Sequence, residues 1–133
     1  MQVSVLAQPA GASNADTVAI GVFEGEEAPP GAPAELSELL ASGEARRSFK
    51  KLALAHADGK RWLLVGLGTR PDFTAERARV AAAVVSARAR EVSARALCWQ
   101  VPADSEPAIA AALVEGTILS DYRYERHKSA PAN

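Results

Sequence analysis

Few residues in this 133-residue chain have the type and spacing to do chemistry. Gly66-Leu67-Gly68 closes an apolar run and precedes a helical segment, where backbone N–H groups can cradle a phosphate. The turn lacks the third glycine of a dinucleotide fingerprint, and Thr69-Arg70-Pro71 stands before the helix. A tight strand-to-helix turn is therefore the simpler reading. Arg70 could add charge for a phosphate, but a loop arginine is ordinarily solvated. His56 and His127 lie about seventy residues apart, and no Cys, His and Asp cluster at metal-ligand spacing surrounds either. Cys98 alternates with Trp99 in a strand pattern and reads as a small core hydrophobe, with no base beside it to make a nucleophile.

Charged groups are equally restrained. Glu24, Glu26 and Glu27 run into Pro29-Pro30, where a calcium loop would need a closing bidentate glutamate, so they read as a solvated loop. Arg46, Arg47, Lys50 and Lys51, with Lys60 and Arg61 across a hairpin, form one local positive patch. Only Phe49 and Trp62 are there to stack on bases. The 15 basic and 16 acidic residues leave a net charge of −1, which argues against a nucleic-acid partner.

The elements that must position these residues follow from apolar periodicity. Gln2 to Leu6 predicts a strand, and residues 8–16 a loop. Thr17 to Phe23 predicts a strand buried on both faces. After a Pro- and Gly-rich surface loop, Pro33 to Ala41 predicts a short helix with Leu36, Leu39 and Leu40 on one stripe and Gly43 as its C-terminal cap. Leu52–His56 and Trp62–Val65 flank Asp58-Gly59 and predict a hairpin. Thr74 caps a helix running to about Ser93, with Ala78, Ala82, Val85, Ala89 and Val92 inward and Arg79 and Arg90 on roughly the other side. Residues 96–101 predict another strand, and 106–128 the last helix, with Pro107 in its first turn. Strands alternating with helices, plus one hairpin, imply an α/β three-layer fold with a mixed sheet flanked by helices.

Composition sets the outer bounds. Hydrophobic residues at 48% and charged residues at 23% support one folded domain, while aromatics at 5% leave the core to Val, Leu, Ile and Ala. No apolar run has the length of a membrane span, and the first residues carry no cationic leader. A lone cysteine suits a reducing compartment, so a cytoplasmic location is expected. From residue 129 the chain turns to small and helix-breaking residues. Residues 1–128 are expected to form one domain, and 129–133 to begin a linker toward a further domain.

Two separated signatures resemble one family. Trp62-Leu63-Leu64-Val65-Gly66-Leu67-Gly68 followed by Thr74-Ala75-Glu76-Arg77-Ala78-Arg79 is similar to the amino-terminal domain of the leucyl aminopeptidase (cytosol aminopeptidase) family. Leu113-Val114-Glu115-Gly116 leading to Tyr122-Arg123-Tyr124-Glu125-Arg126-His127-Lys128-Ser129 resembles the same domain. The resemblance implies a macro-domain-like α/β fold and a non-catalytic role. The family's catalytic domain holds two divalent metals, Zn or Mn, and its members assemble as homohexamers. The family's carboxylate motif, Asn-Thr-Asp-Ala-Glu-Gly-Arg, does not occur in these 133 residues, so no catalytic or metal-binding residue carries over and this chain is expected to need no cofactor. The expected partner is the catalytic domain of the same protein, with Tyr122, Tyr124 and Arg126 as its contacts, because tyrosine and arginine are enriched at buried interfaces. Two other functions stay open: a nucleotide or ADP-ribose module with phosphates near Gly66 and Gly68, and a DNA-contacting domain.

Overall fold

Six consecutive residues, Thr17–Val22, are buried without exception, so this strand must lie inside a sheet covered on both faces. It is β2, the centre of a five-stranded sheet. The computed structural model describes residues 1–6 and 10–129, with side chains through residue 124. The other strands are β1 (Gln2–Leu6), β3 (Leu52–Ala57), β4 (Lys60–Gly66) and β5 (Ala96–Gln100), and the spatial order is β1-β5-β2-β4-β3. β1, β5, β2 and β4 run parallel, and only β3 is antiparallel to its neighbour. Among the described residues the sheet is joined by three α-helices: α1 (Ala34–Ser42), α2 (Ala75–Glu91) and α3 (Pro107–Ser129). The three-layer mixed α/β arrangement expected from the sequence is the one this chain forms.

The two core layers sort strictly by strand parity. Ala19, Leu63, Val65, Leu97 and Trp99 face α2 and α3. Val18, Ile20, Trp62, Leu64 and Cys98 face the opposite way, against Leu36 of α1 and the 3-10 turn at Ala10–Ala12. The many alanines on α2 let it lie close to the sheet and to α3. A Cβ on Gly116 of α3 would come within 2.6 Å of the Arg79 carbonyl of α2, so the helix pair touches through a glycine. Trp99 spans this layer, and its Nε1–H donates to the Thr117 hydroxyl (3.2 Å), which itself donates to the Leu113 carbonyl (2.9 Å).

Local chemistry sets the ends of the elements. The hairpin is tighter than a five-residue connection: its two-residue turn, Asp58-Gly59, has φ of 54° and 74°, both on the positive side that Asp-Gly tolerates. Gly43 caps α1 at φ 83°, and the Thr74 hydroxyl accepts the Arg77 N–H at the start of α2. α2 stops two residues before Ser93, which takes φ 59°. Part of the expected loop at 8–16 is instead structural: Ala10 is fully buried, and its N–H donates to the Gln100 Oε1 (3.1 Å). Arg79 and Arg90 do not simply point to solvent. They lie along the α2–α3 seam, where Arg79 meets Glu115 at 3.1 Å and Arg90 meets Asp121 at 3.6 Å. Among the described residues no helix is long and apolar enough to cross a membrane.

Candidate functional site

Parallel strands end in a crevice where following loops leave toward opposite faces, and in α/β folds ligands bind there. Here the loop after β2 leads to α1 on one face, while the loop after β5 leads to α3 on the other. The glycine turn after β4 adjoins this crevice. Its three N–H groups are already committed: Gly66 donates to the Lys51 carbonyl, Leu67 to Val22 and Gly68 to Arg47, at 2.8 to 3.0 Å. The glycines serve close approach. A Cβ on Gly66 would sit 2.1 Å from the Ser48 carbonyl oxygen, and Gly68 holds φ 73°. A phosphate at this turn would have to displace main-chain bonds that pin the 46–51 loop to the sheet.

The crevice itself is bolted by Arg70, which the sequence places in a solvated loop. Its guanidinium makes a bidentate pair with Glu26 (2.8 Å to each oxygen), donates to the Ala103 carbonyl (2.9 Å) and stacks on the Phe23 ring at 4.2 Å. Phe23 in turn packs edge-on against Phe73, with ring centroids 5.3 Å apart. Glu26 is thus a structural anion and no longer part of a freely solvated run. Its hydrogen bonds from Arg70 hold its carboxyl below the usual glutamate range against a smaller burial effect. A small hollow of about 150 Å³ remains beside the pair, lined by Val22, Pro30 and Ala103 among others. Residues 44 positions apart meet here, and no local pattern marks such a contact.

The remaining candidates are dispersed. Cys98 is fully buried on the α1 side of the sheet. His56 is exposed on β3, and the side chain of His127 lies outside the described residues. Among the described residues no three His, Cys, Asp or Glu side chains converge as metal ligands. The positive patch is split by the length of β3, about 20 Å for its six residues. Lys60 turns inward to the carbonyls of Ser13 and Ala15, and Arg47 to that of Glu26. Asp16 does unexpected work: its carboxylate accepts the N–H groups of Arg95 and Ala96, pinning the entry to β5. Partial burial would raise this carboxyl, but those bonds, the Thr17 hydroxyl and the charge of Arg61 outweigh it and leave it below the usual range.

One surface stands out on α3. Ile118, Leu119 and Tyr122 are 54%, 48% and 60% exposed, a run of large apolar side chains on the outer side of a helix whose inner side holds Leu113 and Thr117. Tyr124 is also exposed and carries the Arg90 guanidinium 4.7 Å over its ring. The side chain of Arg126 lies outside the described residues, as do residues 130–133, most of the expected linker. Of the three expected contact residues, Tyr122 faces outward on α3, while Tyr124 lies toward α2 beside Arg90. The structure adds Ile118 and Leu119, whose exposure a helical stripe of apolar residues would conceal.

A bolted crevice and an outward apolar helix face mark a three-layer α/β domain. Relatives with known sequences and structures place the chain in a family. A profile of the cytosol aminopeptidase family, N-terminal domain, matches residues 19–131. A "Probable cytosol aminopeptidase" of Roseiflexus castenholzii is 31% identical over 136 residues, covering 97% of this chain and 27% of its own length. One from Solibacter usitatus is 36% identical over 139 residues with the same coverage. Among solved structures, the bottromycin maturation enzyme BotP is similar over 87% of this chain and 25% of its own, at 32% identity and a TM-score of 0.61. A mutant tomato leucine aminopeptidase shares the fold, with a TM-score of 0.69 at 18% identity over 90% of this chain and 28% of its own. This chain belongs to the cytosol aminopeptidase family and corresponds to its N-terminal domain. It spans about a quarter of the length of these curated relatives.

Proposed function

We propose that this chain is the non-catalytic accessory domain of a cytoplasmic leucyl aminopeptidase, working through contact with a catalytic domain. In that reading the catalytic domain holds two divalent metals, Zn or Mn, releases N-terminal amino acids from peptides and builds a homohexamer. The match of residues 19–131 to the family's N-terminal domain carries the proposal. Two features of the chain support it. Three of its carboxylates serve arginines and backbone amides: Glu26 binds Arg70, Glu115 binds Arg79 and Asp16 holds the start of β5. Among the described residues four of the six large exposed apolar side chains lie on α3, where Ile118, Leu119 and Tyr122 offer a surface for a packed neighbour.

The direct test is a peptidase assay on the purified 133-residue chain with leucine p-nitroanilide and added manganese or zinc. No hydrolysis above the metal-only blank is expected. Metal-dependent turnover that survives repurification would overturn the non-catalytic assignment.

A further inference from the structure

The register of the hairpin decides which groups on its outer strand are left over. The two-residue turn makes Ala57 and Lys60 a hydrogen-bonded pair, so Ala55 with Trp62 and Ala53 with Leu64 are hydrogen-bonded as well. The bond from the Gly66 N–H to the Lys51 carbonyl continues the same alternation. Leu52, Leu54 and His56 therefore point their N–H and C=O groups away from β4. β3 ends the sheet, and among the described residues no hydrogen bond reaches those groups. The strand also lacks the devices that blunt an edge: LALAHA holds no proline, no charged side chain and no bulge in its pairing with β4. Leu52 and Leu54 are only half-buried against the α2–α3 core layer.

We propose that this edge pairs antiparallel with the same edge of a second copy of the chain, about a two-fold axis at Leu54. The axis joins the two five-stranded sheets into one. In that register Leu54 faces Leu54 of the second copy and Leu52 faces His56, so all outward main-chain groups of the three residues find partners. Charge is complementary at the two ends of this pairing. It brings the Lys50-Lys51 end of one copy to the exposed Asp58 turn of the other, twice by symmetry, although Lys50 (φ 73°) and Asp58 (φ 54°) themselves leave the extended register. The side chains at 52 and 54 would extend the half-covered apolar layer beneath α2 across the junction.

Sedimentation velocity from micromolar to near-millimolar protein, paired with hydrogen exchange, tests this. A concentration-dependent dimer is expected, with at least tenfold slower exchange at the amides of residues 52, 54 and 56 in the dimer. Leu54→Lys, which places two ammonium groups on the axis, should leave only monomer. Lys50→Glu, at an exposed side chain, should weaken the dimer several-fold at low salt and less at high salt. A chain that stays monomeric throughout overturns the proposal. So does a dimer that ignores both substitutions, or one whose protection falls on α3 and not on β3.

Discussion

Arg70 shows how one side chain can close a crevice. Its planar fork meets both oxygens of Glu26 while its face rests on Phe23, an arrangement a lysine could not reproduce. Arg70→Ala should cost about 1 kcal/mol, because the pair is bidentate yet roughly two-fifths exposed and therefore partly screened. The pH dependence has a definite sign. Glu26 is held below its ordinary value of 4.5, so its contribution is complete above that pH and fades as pH falls through the lowered value. The gap between thermal melts of the wild type and Arg70→Ala should thus be wider at pH 7 than in acid well below 4.5. Equal gaps at both pH values would remove Glu26 from the account. Gly66 has no such tolerance. With the Ser48 oxygen 2.1 Å from any Cβ, Gly66→Ala should lower stability by at least about 3 kcal/mol, read from the urea midpoint.

Among the elements, α3 joins two roles on opposite sides. Its inner side is tied to β5 through the Trp99–Thr117 bond and to α2 through Gly116. Thr117→Val keeps the shape but strands the buried Trp99 N–H, which should cost about 1–3 kcal/mol in denaturant unfolding followed by tryptophan fluorescence. The outer side should behave otherwise. The double variant Ile118→Ser, Tyr122→Ser removes large apolar groups that already face water, so unfolding free energy should stay within about 0.5 kcal/mol of the wild type. A larger loss in calorimetry would mean that this side is packed within the domain and free for no partner. The elements themselves were largely legible. Alternating apolar residues, Asp58-Gly59, Thr74 and Gly43 are signals that span a few residues and act where they stand, so each strand and helix could be placed to within a residue or two.

Over the whole molecule, function is divided between what packs inside and what remains uncovered. The core is complete on both faces of β2, and among the described residues no buried side-chain polar atom lacks a partner. What is left over lies at the periphery, including the outer side of α3 and the free edge of β3. A domain finished inside and unfinished outside suits a part that works by contact, consistent with a chain about a quarter as long as its relatives.

By itself the sequence determined the strand and helix order, the buried central strand, the hairpin and the family signatures, because each depends on residues close together in the chain. Tertiary structure alone decided that the glycine turn spends its amides on Lys51, Val22 and Arg47, and that Arg70 locks onto Glu26. It also turned Asp16 toward β5 and Ile118 toward water. Those outcomes depend on which distant segments meet, and a hydrogen bond or a buried face is set by the partner that arrives there, not by the spacing of its own residues.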